Sequence, residues 1–144
     1  MSGDANTALI CAIARPQDRD AVVALWKACG LTRPWNDPVA DFEFALAGPA
    51  SAILVLRENA RILASAMVGH DGHRGALYYL AVDPARRRDG LGSMMMSAVE
   101  GWLKEQGAAK LNLLVRKENE AVIGFYETLG YADTGCISLG KRLD

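Results

Sequence analysis

Residues 80–92, LAVDPARRRDGLG, connect an apolar segment to a helix through a basic turn. The apolar and aromatic run 77–82 has the length of a strand and stops at Asp83-Pro84. Apolar side chains then recur at helical spacing, at Leu91, Met94, Met95, Ala98, Val99 and Trp102. The backbone N–H groups of a helix N-terminus are unpaired and partly positive, and glycine lets a ligand approach them. The stretch therefore predicts a phosphate or pyrophosphate site.

Two familiar phosphate motifs do not fit this stretch. Met95 occupies the third glycine position of the dinucleotide-binding fingerprint. No Gly-Lys-Ser/Thr follows, which excludes a nucleotide P-loop. Asp-Pro and Asp-Gly also occur in ordinary turns, and an arginine-rich turn is commonly just solvated. The alternatives at this point are a different phosphate-bearing ligand or a turn without a ligand.

Length and composition favour one soluble globular domain spanning residues 1–144. The hydrophobic fraction is 51% and the charged fraction 23%, which are ordinary values. The net charge of −1 gives no basis for nucleic-acid or anionic-membrane partners. The N-terminus lacks the pattern of a signal peptide, and no apolar run approaches the ~18 residues of a membrane span. We expect a cytoplasmic protein.

The three cysteines, Cys11, Cys29 and Cys136, show no paired spacing. An odd number without such spacing disfavours a disulfide framework and a zinc site, and favours a reducing compartment. Each cysteine is flanked by apolar residues, and we expect each thiol to pack rather than react. No metal is expected.

The element order predicted along the chain is β-α-α-β-β-β-α-β-α-β-β. Strands are expected at 8–14, 51–56, 61–68, 77–82, 110–115, 131–133 and 136–142. Asp37-Pro38 and Asn119 should begin the second and last helices, and Gly107 should end the third. A helical crossover joins 77–82 to 110–115, so these strands should be parallel. The fold class is α/β (α+β), a mixed and mostly antiparallel sheet with helices on both faces.

These motifs resemble the GNAT family, the Gcn5-related N-acetyltransferases, over nearly the whole chain. The family's acyl-CoA signature is Arg or Gln, two residues, Gly, one residue, then Gly or Ala. Arg87, Gly90 and Gly92 match it. A second family block is matched by residues 119–131, NEAVIGFYETLGY. One departure is Arg88, which stands where many members have glycine and which puts the detailed turn geometry in question.

A finer resemblance is to bacterial YpeA-like GNAT proteins. It rests on four blocks outside the acyl-CoA signature: residues 31–38 LTRPWNDP, 71–75 DGHRG, 78–80 YYL and 138–143 SLGKRL. Because these blocks lie outside the signature, they are candidates for the acceptor side.

The resemblance implies an acetyltransferase that uses acetyl-CoA and no metal. The acetyl group would pass to a primary amine, a peptide or protein N-terminus or a small amine, by direct attack in a ternary complex. The pantetheine arm would lie where the two parallel strands splay apart, and a backbone N–H near Ala81 or Val82 would stabilise the oxyanion. The residues implied in acetyl-CoA binding are Leu80, Ala81, Val82, Arg87, Arg88, Asp89, Gly90, Leu91, Gly92, Ser93, Asn119 and Tyr126.

Within the second block, Tyr126 is the candidate general acid. A phenol can supply a proton to the departing thiolate. The competing interpretation is a core aromatic on the inner face of the last helix, beside Val122, Phe125 and Leu129. Asn119 has two open roles, as a contact for the coenzyme A arm or as a simple helix cap.

The acceptor site is expected to involve Arg33, Trp35, Asn36 and Tyr79. Arg33 could hold an acceptor carboxylate and Trp35 could wall the pocket, or they are a solvated arginine and a packed tryptophan.

The general base is open among His70, Asp71, His73, Glu43 and a water chain. A lysine amine needs about 4–5 kcal/mol to lose its proton at pH 7, and an α-amine about 1 kcal/mol. The lack of an obvious base therefore favours an α-amine or a small amine of low pKa.

Three alternatives to this function remain open: a non-catalytic acyl-CoA sensor, a protein lysine acetyltransferase, and a structural partner protein without a ligand. The sequence is also compatible with a homodimer.

Overall fold

The computed structural model describes residues 9–144. Its strands are β1 Leu9–Ile13, β2 Ser51–Glu58, β3 Arg61–His70, β4 Gly75–Val82 and β5 Leu111–Leu113. Its α-helices are α1 Arg19–Ala28, α2 Pro38–Ala47, α3 Leu91–Gln106 and α4 Glu120–Thr128. Short 3-10 turns occupy Pro16–Asp18 and Pro84–Arg86. The chain divides into two compact units, the first ending at Asn112 and the second comprising Leu113–Asp144.

The five strands form one sheet in the order β1-β2-β3-β4-β5. β1 to β4 pair antiparallel along the chain, and β5 is parallel to β4. A tight hairpin joins β2 to β3, with Glu58 opposite Arg61 and Asn59 in the left-handed region at φ 58°. Asparagine tolerates that conformation better than most residues. The mixed sheet predicted from the crossover is confirmed.

In the first unit, helices cover both faces of the sheet, as predicted. One face carries a core cluster that includes Trp26 of α1, Phe42 of α2 and Ile53 of β2. Side chains alternate along a strand, so the buried Leu54 and Leu56 point to the opposite face. There α3 contacts β2, β3 and β4.

Close packing at the start of β4 explains one glycine. A Cβ at Gly75 would lie 2.5 Å from a methyl carbon of Leu103 in α3.

The helix boundaries follow the predicted signals closely. Asp37 accepts hydrogen bonds from the N–H groups of Val39 at 3.0 Å and Ala40 at 3.3 Å, and Pro38 begins α2. Gly107 ends α3 at φ 91°.

The buried face of α3 differs from the predicted one. Met94 is 42% exposed, whereas Met96 and Leu103 are buried together with Leu91, Met95 and Val99. The stripe is rotated by about one residue, because several neighbouring apolar positions satisfied helical spacing equally well.

The strands predicted at 131–133 and 136–142 are not formed, and β5 ends before the predicted Val115. Ile137 is 79% exposed and Leu139 87% exposed. Apolar alternation alone does not make a strand, because its backbone groups need a ladder partner. The predicted first strand began at Ala8, which lies outside the described residues.

The expected packing of the cysteines holds for Cys29 alone. Cys29 is partly buried, and its Sγ donates to the Val82 carbonyl oxygen at 3.2 Å. Cys11 and Cys136 are exposed. Within residues 9–144, no helix combines the length and the apolar character needed to cross a bilayer.

Candidate functional site

Asp83 organises the turn that follows β4. Its Oδ1 accepts a hydrogen bond from the N–H of Ala85 at 2.9 Å, and its Oδ2 pairs with Arg61 of β3 at 2.6 Å. The hydrogen bond from Ala85, helped by the Arg61 guanidinium, lowers the pKa of the Asp83 carboxyl below its usual range. The Asp-Pro dipeptide therefore fixes the direction in which the chain leaves the strand.

Arg86 holds the next part of the loop. Its Nη1 donates to Glu58 of β2 at 3.0 Å, and its Nε donates to Asp89 at 2.8 Å. The contact with Glu58 holds the loop against the β2–β3 hairpin, and the contact with Asp89 fixes the position of Asp89 within the loop. Asp89 is thus a residue that orders the loop through its side chain, a role the sequence did not indicate.

The following two arginines have no such partners. Arg87 and Arg88 are exposed, and neither forms an ion pair or side-chain hydrogen bond within residues 9–144. Arg88 has a φ of 75° and Gly90 a φ of 78°. The residue that replaces glycine in the family pattern therefore adopts a left-handed conformation that glycine would adopt without strain. Two exposed cations are left beside the helix that follows.

The N-terminus of α3 is open to an anion. Gly90 precedes the helix without a side-chain cap, and the first turn holds no acidic residue. The first intrahelical bond is donated by the Met94 N–H to the Gly90 carbonyl at 3.1 Å. The N–H groups of Leu91, Gly92 and Ser93 come before that bond and are the orphan donors of the first turn. By contrast, Asp37 closes the corresponding end of α2.

β4 is bulged just before the segment implied in binding the pantetheine arm. Met67 of β3 pairs with Tyr78, and Ser65 pairs with Ala81. One residue of β3 therefore faces two residues of β4, Tyr79 and Leu80, and Tyr79 has a φ of 55°. Leu80 is part of this irregularity, and Ala81 and Val82 follow it directly.

β5 is much shorter than β4. It has three residues against the eight of β4. The N–H of Gly75 donates to the Lys110 carbonyl at 2.7 Å, so the two strands meet at the start of β4. At about 3.3 Å per residue, the three residues of β5 cannot reach the end of β4. The last residues of β4 thus extend past the end of β5.

Tyr79 is held by two side-chain contacts, a ring stack and a hydrogen bond. Its ring stacks on Trp26 with centroids 4.0 Å apart and planes 9° apart. Its hydroxyl donates to Asp41 Oδ2 of α2 at 2.7 Å. Burial, and then the neighbouring Asp41 carboxylate, raise the pKa of Tyr79 well above its usual range. Tyr79 is therefore a neutral hydrogen-bond donor at physiological pH.

Asp41 is the carboxylate that sequence reasoning missed. The central strand offers no glutamate, and Asp41 lies 38 residues from Tyr79 in another element. No local pattern links the two positions. A weak signal was available, because Asp41 follows the cap Asp37 by one helical turn on α2.

In the loop before α2, two residues predicted to bind the acceptor substrate form hydrogen bonds within the loop itself. Nη1 of Arg33 donates to the carbonyls of Gly30 at 2.8 Å and Thr32 at 2.9 Å. The N–H of Asn36 donates to the Arg33 carbonyl at 3.1 Å, which closes a turn. Trp35 is 58% exposed, so it is not the packed tryptophan of the alternative interpretation.

Most of the candidate bases are not brought to β4's end. Asp71 accepts from the N–H groups of His73 and Arg74, both at 2.8 Å, and His70 accepts from Gly72 at 3.1 Å. Hydrogen bonds from the turn backbone lower the pKa of Asp71. Leu80 lies six residue steps along the strand from Arg74, the last residue of this turn, which is about 20 Å.

Glu43, the fourth candidate base, is also engaged: it pairs with Arg19 at 3.2 Å.

Tyr126 and Asn119 belong to the second unit. Tyr126 is 8% exposed and meets Phe125 and Tyr131 edge-on, with centroids 5.1 and 5.7 Å away. Burial raises the pKa of Tyr126 to about 12. Its hydroxyl has no hydrogen-bond partner in residues 9–144. Buried phenols usually have one, so this O–H is free to meet a ligand.

Asn119 occupies the N-cap position of α4, but its side chain makes no cap hydrogen bond. The position was predicted correctly, and the capping bond that the simpler interpretation required is missing. Its amide has no other partner in the described chain. Like the Tyr126 hydroxyl, it is available to a ligand.

Comparison with known sequences gives a family. Residues 17–131 match the model of the acetyltransferase (GNAT) family. An acetyltransferase of Pectobacterium atrosepticum is 47% identical over 131 residues, covering 91% of this chain and 93% of the relative. An acetyltransferase of Yersinia enterocolitica is 45% identical over 126 residues, covering 88% and 89%.

Solved structures show the same fold. The aminoglycoside N-acetyltransferase AAC(6')-Iy, in complex with a bisubstrate analogue, has a TM-score of 0.81 at 16% identity and covers 94% of this chain and 98% of its own. The ribosomal-protein-S18-alanine N-acetyltransferase from Escherichia coli has a TM-score of 0.74 at 27% identity, covering 85% and 77%. The open end of α3, the bulged β4 and these likenesses agree: the chain belongs to the GNAT family and is an acetyltransferase.

Proposed function

We propose that this acetyltransferase moves an acetyl group from acetyl-CoA to a primary amine. The observation that carries the proposal is the N-terminus of α3. It presents the orphan N–H groups of Leu91, Gly92 and Ser93, without a capping side chain or an acidic residue. Arg87 and Arg88 stand beside it without ion-pair partners in the described chain. A diphosphate matches this combination of donors and positive charge.

The remaining residues fit the rest of acetyl-CoA. The ligand itself supplies an acetyl group activated as a thioester. Leu80, Ala81 and Val82 would pair their backbone with the extended arm, since they lie past the end of β5. An N–H near Ala81 or Val82 would donate to the acyl carbonyl oxygen as it becomes negative. The free amide of Asn119 would contact the same arm.

Tyr126, the candidate general acid, is proposed as the hydrogen-bond donor to the departing sulfur. With a pKa of about 12 the phenol is neutral across the physiological range. Full transfer to a thiolate of pKa about 8.5 would be uphill by about 5 kcal/mol. Tyr126 would therefore donate a hydrogen bond to the sulfur while the carbon–sulfur bond breaks. The neutral amine nitrogen forms the new bond to the acyl carbon and then loses one proton to solvent or to the departing thiolate.

The acceptor is proposed to be an α-amine or a small amine of low pKa. Asp41, the carboxylate that contacts β4 through Tyr79, is already bonded to the Tyr79 hydroxyl. An enzyme without a dedicated base favours amines that lose their proton cheaply. Two of the proteins that share this fold are an aminoglycoside N-acetyltransferase and a ribosomal-protein-S18-alanine N-acetyltransferase. Arg33, Trp35 and Asn36 would shape the acceptor side.

The test is thiol release from acetyl-CoA over an amine panel. The panel contains a peptide with a free N-terminal alanine, an N-terminally blocked lysine peptide, an aminoglycoside and a polyamine. We expect release with the free N-terminus or a small amine and little with blocked lysine. A strong lysine preference would identify a protein lysine acetyltransferase. Binding of acetyl-CoA without release on any amine would identify a non-catalytic sensor.

A matched pair of variants tests the diphosphate site itself. Ser93→Asp places a carboxylate in the first turn of α3, where it competes with a bound anion but favours the helix dipole. We expect acetyl-CoA affinity to fall more than tenfold with no loss of thermal stability. Ser97→Asp, one turn further along and also exposed, should bind normally. Equal affinities in the two variants would place the diphosphate elsewhere.

We further propose a single-domain, cytoplasmic enzyme whose partners are amines rather than nucleic acid or membranes. Whether it forms a homodimer is a separate prediction, checked by light scattering. The YpeA-like subgroup also stays a prediction.

A further inference from the structure

Tyr79 holds an unfavourable backbone conformation. Its φ of 55° lies in the left-handed region, where a bulky aromatic residue is rare. Among residues 9–144, the two other non-glycine residues with positive φ are Asn59 in a hairpin turn and Arg88 in a loop. In that part of the chain Tyr79 alone has a positive φ inside a strand. Such a conformation persists only where the surroundings over-determine it.

Two contacts fix the Tyr79 side chain. The ring lies parallel to the indole of Trp26, 4.0 Å away, and the hydroxyl donates to Asp41 at 2.7 Å. Trp26 is fully buried. Because the phenol stays protonated, the hydrogen bond to the carboxylate persists across the physiological pH range.

Trp26 is in turn fixed to the sheet. Its Nε1 donates to Ser65 Oγ at 3.0 Å, in a fully buried contact. Ser65 is the β3 residue that pairs with Ala81, two residues after Tyr79. The chain of contacts therefore begins at Asp41 in α2, passes through both rings and returns to the sheet on the far side of the bulge. Both sides of the irregularity are held by one set of side chains.

We propose that Asp41 and Trp26 hold Tyr79 in its left-handed conformation and so maintain the bulge that presents residues 80–82 to the acyl arm. Asp41 is then a positioning residue for acetyl transfer. This inference rests on the proposed function for its catalytic consequence, but its structural part does not depend on any ligand. Asp41 acts here as a hydrogen-bond acceptor, and its charge is not required.

A different role for Asp41 makes a different prediction. If Asp41 bound the cationic amine or removed its proton, its negative charge would be essential. Asp41→Asn separates the two roles, because its amide oxygen still accepts a hydrogen bond from the Tyr79 hydroxyl but carries no charge. Tyr79→Phe keeps the stacked ring and removes only the hydroxyl.

Amide hydrogen exchange of the ligand-free protein tests the structural part. We expect Asp41→Ala and Tyr79→Phe to accelerate exchange at residues 79–82 at least tenfold, and Asp41→Asn less than threefold. Asp20→Ala, which removes an exposed carboxylate from α1, should change nothing. Unchanged exchange in Tyr79→Phe would overturn the inference. If Asp41→Ala fails to fold, Tyr79→Phe and Asp41→Asn decide the matter.

The catalytic part is tested by steady-state kinetics with an amine that the panel identifies as a substrate. We expect Asp41→Ala to lower kcat at least fivefold, with less than a twofold change in the KM for acetyl-CoA. Asp41→Asn should restore kcat to within twofold of the parent protein. An equal loss in Asp41→Asn and Asp41→Ala would overturn the positioning role in favour of a charged one. If no amine is acetylated, the proposed function fails while the exchange result still decides the inference.

Discussion

The carboxylate of Glu58, at the end of β2, accepts a hydrogen bond from the Arg86 guanidinium at 3.0 Å and ties the β2–β3 hairpin to the loop before α3. Three consecutive arginines are thereby divided into two roles. Arg86 is part of the scaffold, whereas Arg87 and Arg88 are exposed and unpaired in the described chain. The scaffold arginine lies one position before the arginine of the acyl-CoA signature.

Removal of this tie should loosen the loop and weaken ligand binding. Because the pair is partly exposed, we expect Glu58→Ala to destabilise the ordered conformation of the loop by about 1 kcal/mol. The dissociation constant for acetyl-CoA, measured by calorimetry, should rise about two- to fivefold. Glu105→Ala, which removes an exposed carboxylate from the last turn of α3, is the control. Unchanged affinity in Glu58→Ala would show that the loop orders itself.

Arg88 should reveal its left-handed backbone in stability measurements. A side chain with a Cβ is strained at φ 75°, and we expect Arg88→Val to be about 1–2 kcal/mol less stable than Arg88→Gly. The neighbouring Arg87 has φ −65° and ψ 149°, where valine fits. There Arg87→Val should be the more stable of the two by about 0.5–1 kcal/mol. Urea unfolding of the four variants measures this, and the same order at both positions would contradict it.

Asp18 should contribute stability that depends on pH. Its buried carboxylate pairs with Arg57 and accepts from the Arg15 N–H at 2.8 Å. The hydrogen bond from Arg57 lowers the pKa of Asp18 below the usual aspartate value of 3.8. A lowered folded pKa means that the stabilisation is complete above the unfolded value and is lost as pH falls through the folded value.

Asp18→Asn should therefore destabilise the protein by about 3 kcal/mol at pH 7, because Arg57 loses its partner. The difference from the parent protein should shrink below about pH 3.8. Unfolding curves at several pH values check this, with the exposed Asp20→Asn as control. A difference that is constant down to pH 2 would mean that hydrogen bonding alone, without charge, stabilises the pair.

Tyr126→Phe tests the proposed hydrogen bond from Tyr126 to the departing sulfur. We expect acetyl-CoA affinity to be unchanged and kcat to fall by roughly 10²-fold, the typical value of a general acid. With a pKa of about 12, Tyr126 should produce no basic limb in the pH–rate profile below pH 10. Unchanged turnover would assign Tyr126 to the core of its own unit.

The sequence predicts the parts of this structure that local chemistry determines. Asp37-Pro38 begins α2 because an aspartate can accept from two N–H groups and proline suits the first position. Gly90 precedes α3 because its φ of 78° lies in the left-handed region, which glycine adopts without strain. The parallel β4–β5 pair follows from the length of the helical crossover.

The parts that depend on distant contacts could not be predicted. Tyr79 has no intrinsic preference for a left-handed conformation, and its two anchors lie in other elements. Arg33 fits a ligand clamp by residue type, yet the carbonyls of its own loop take one of its donors. The alternation at 136–142 predicted a strand, but alternation does not show whether a neighbouring backbone is available.

The bulge in β4 also decides toward which layer of the protein the side chains on either side of it point. Leu77 pairs with Val68 and Ala81 with Ser65, so two residues an even number apart point to opposite layers of the protein. Loss of one residue at position 79 or 80 would restore one-to-one pairing with β3, so Ala81 would still pair with Ser65 and keep its layer, but the strand would lose the bend that the bulge produces. A single deletion here should therefore leave both hydrophobic layers intact and change the path of the strand end, whereas a deletion elsewhere in β4 would turn its later side chains to the wrong layer.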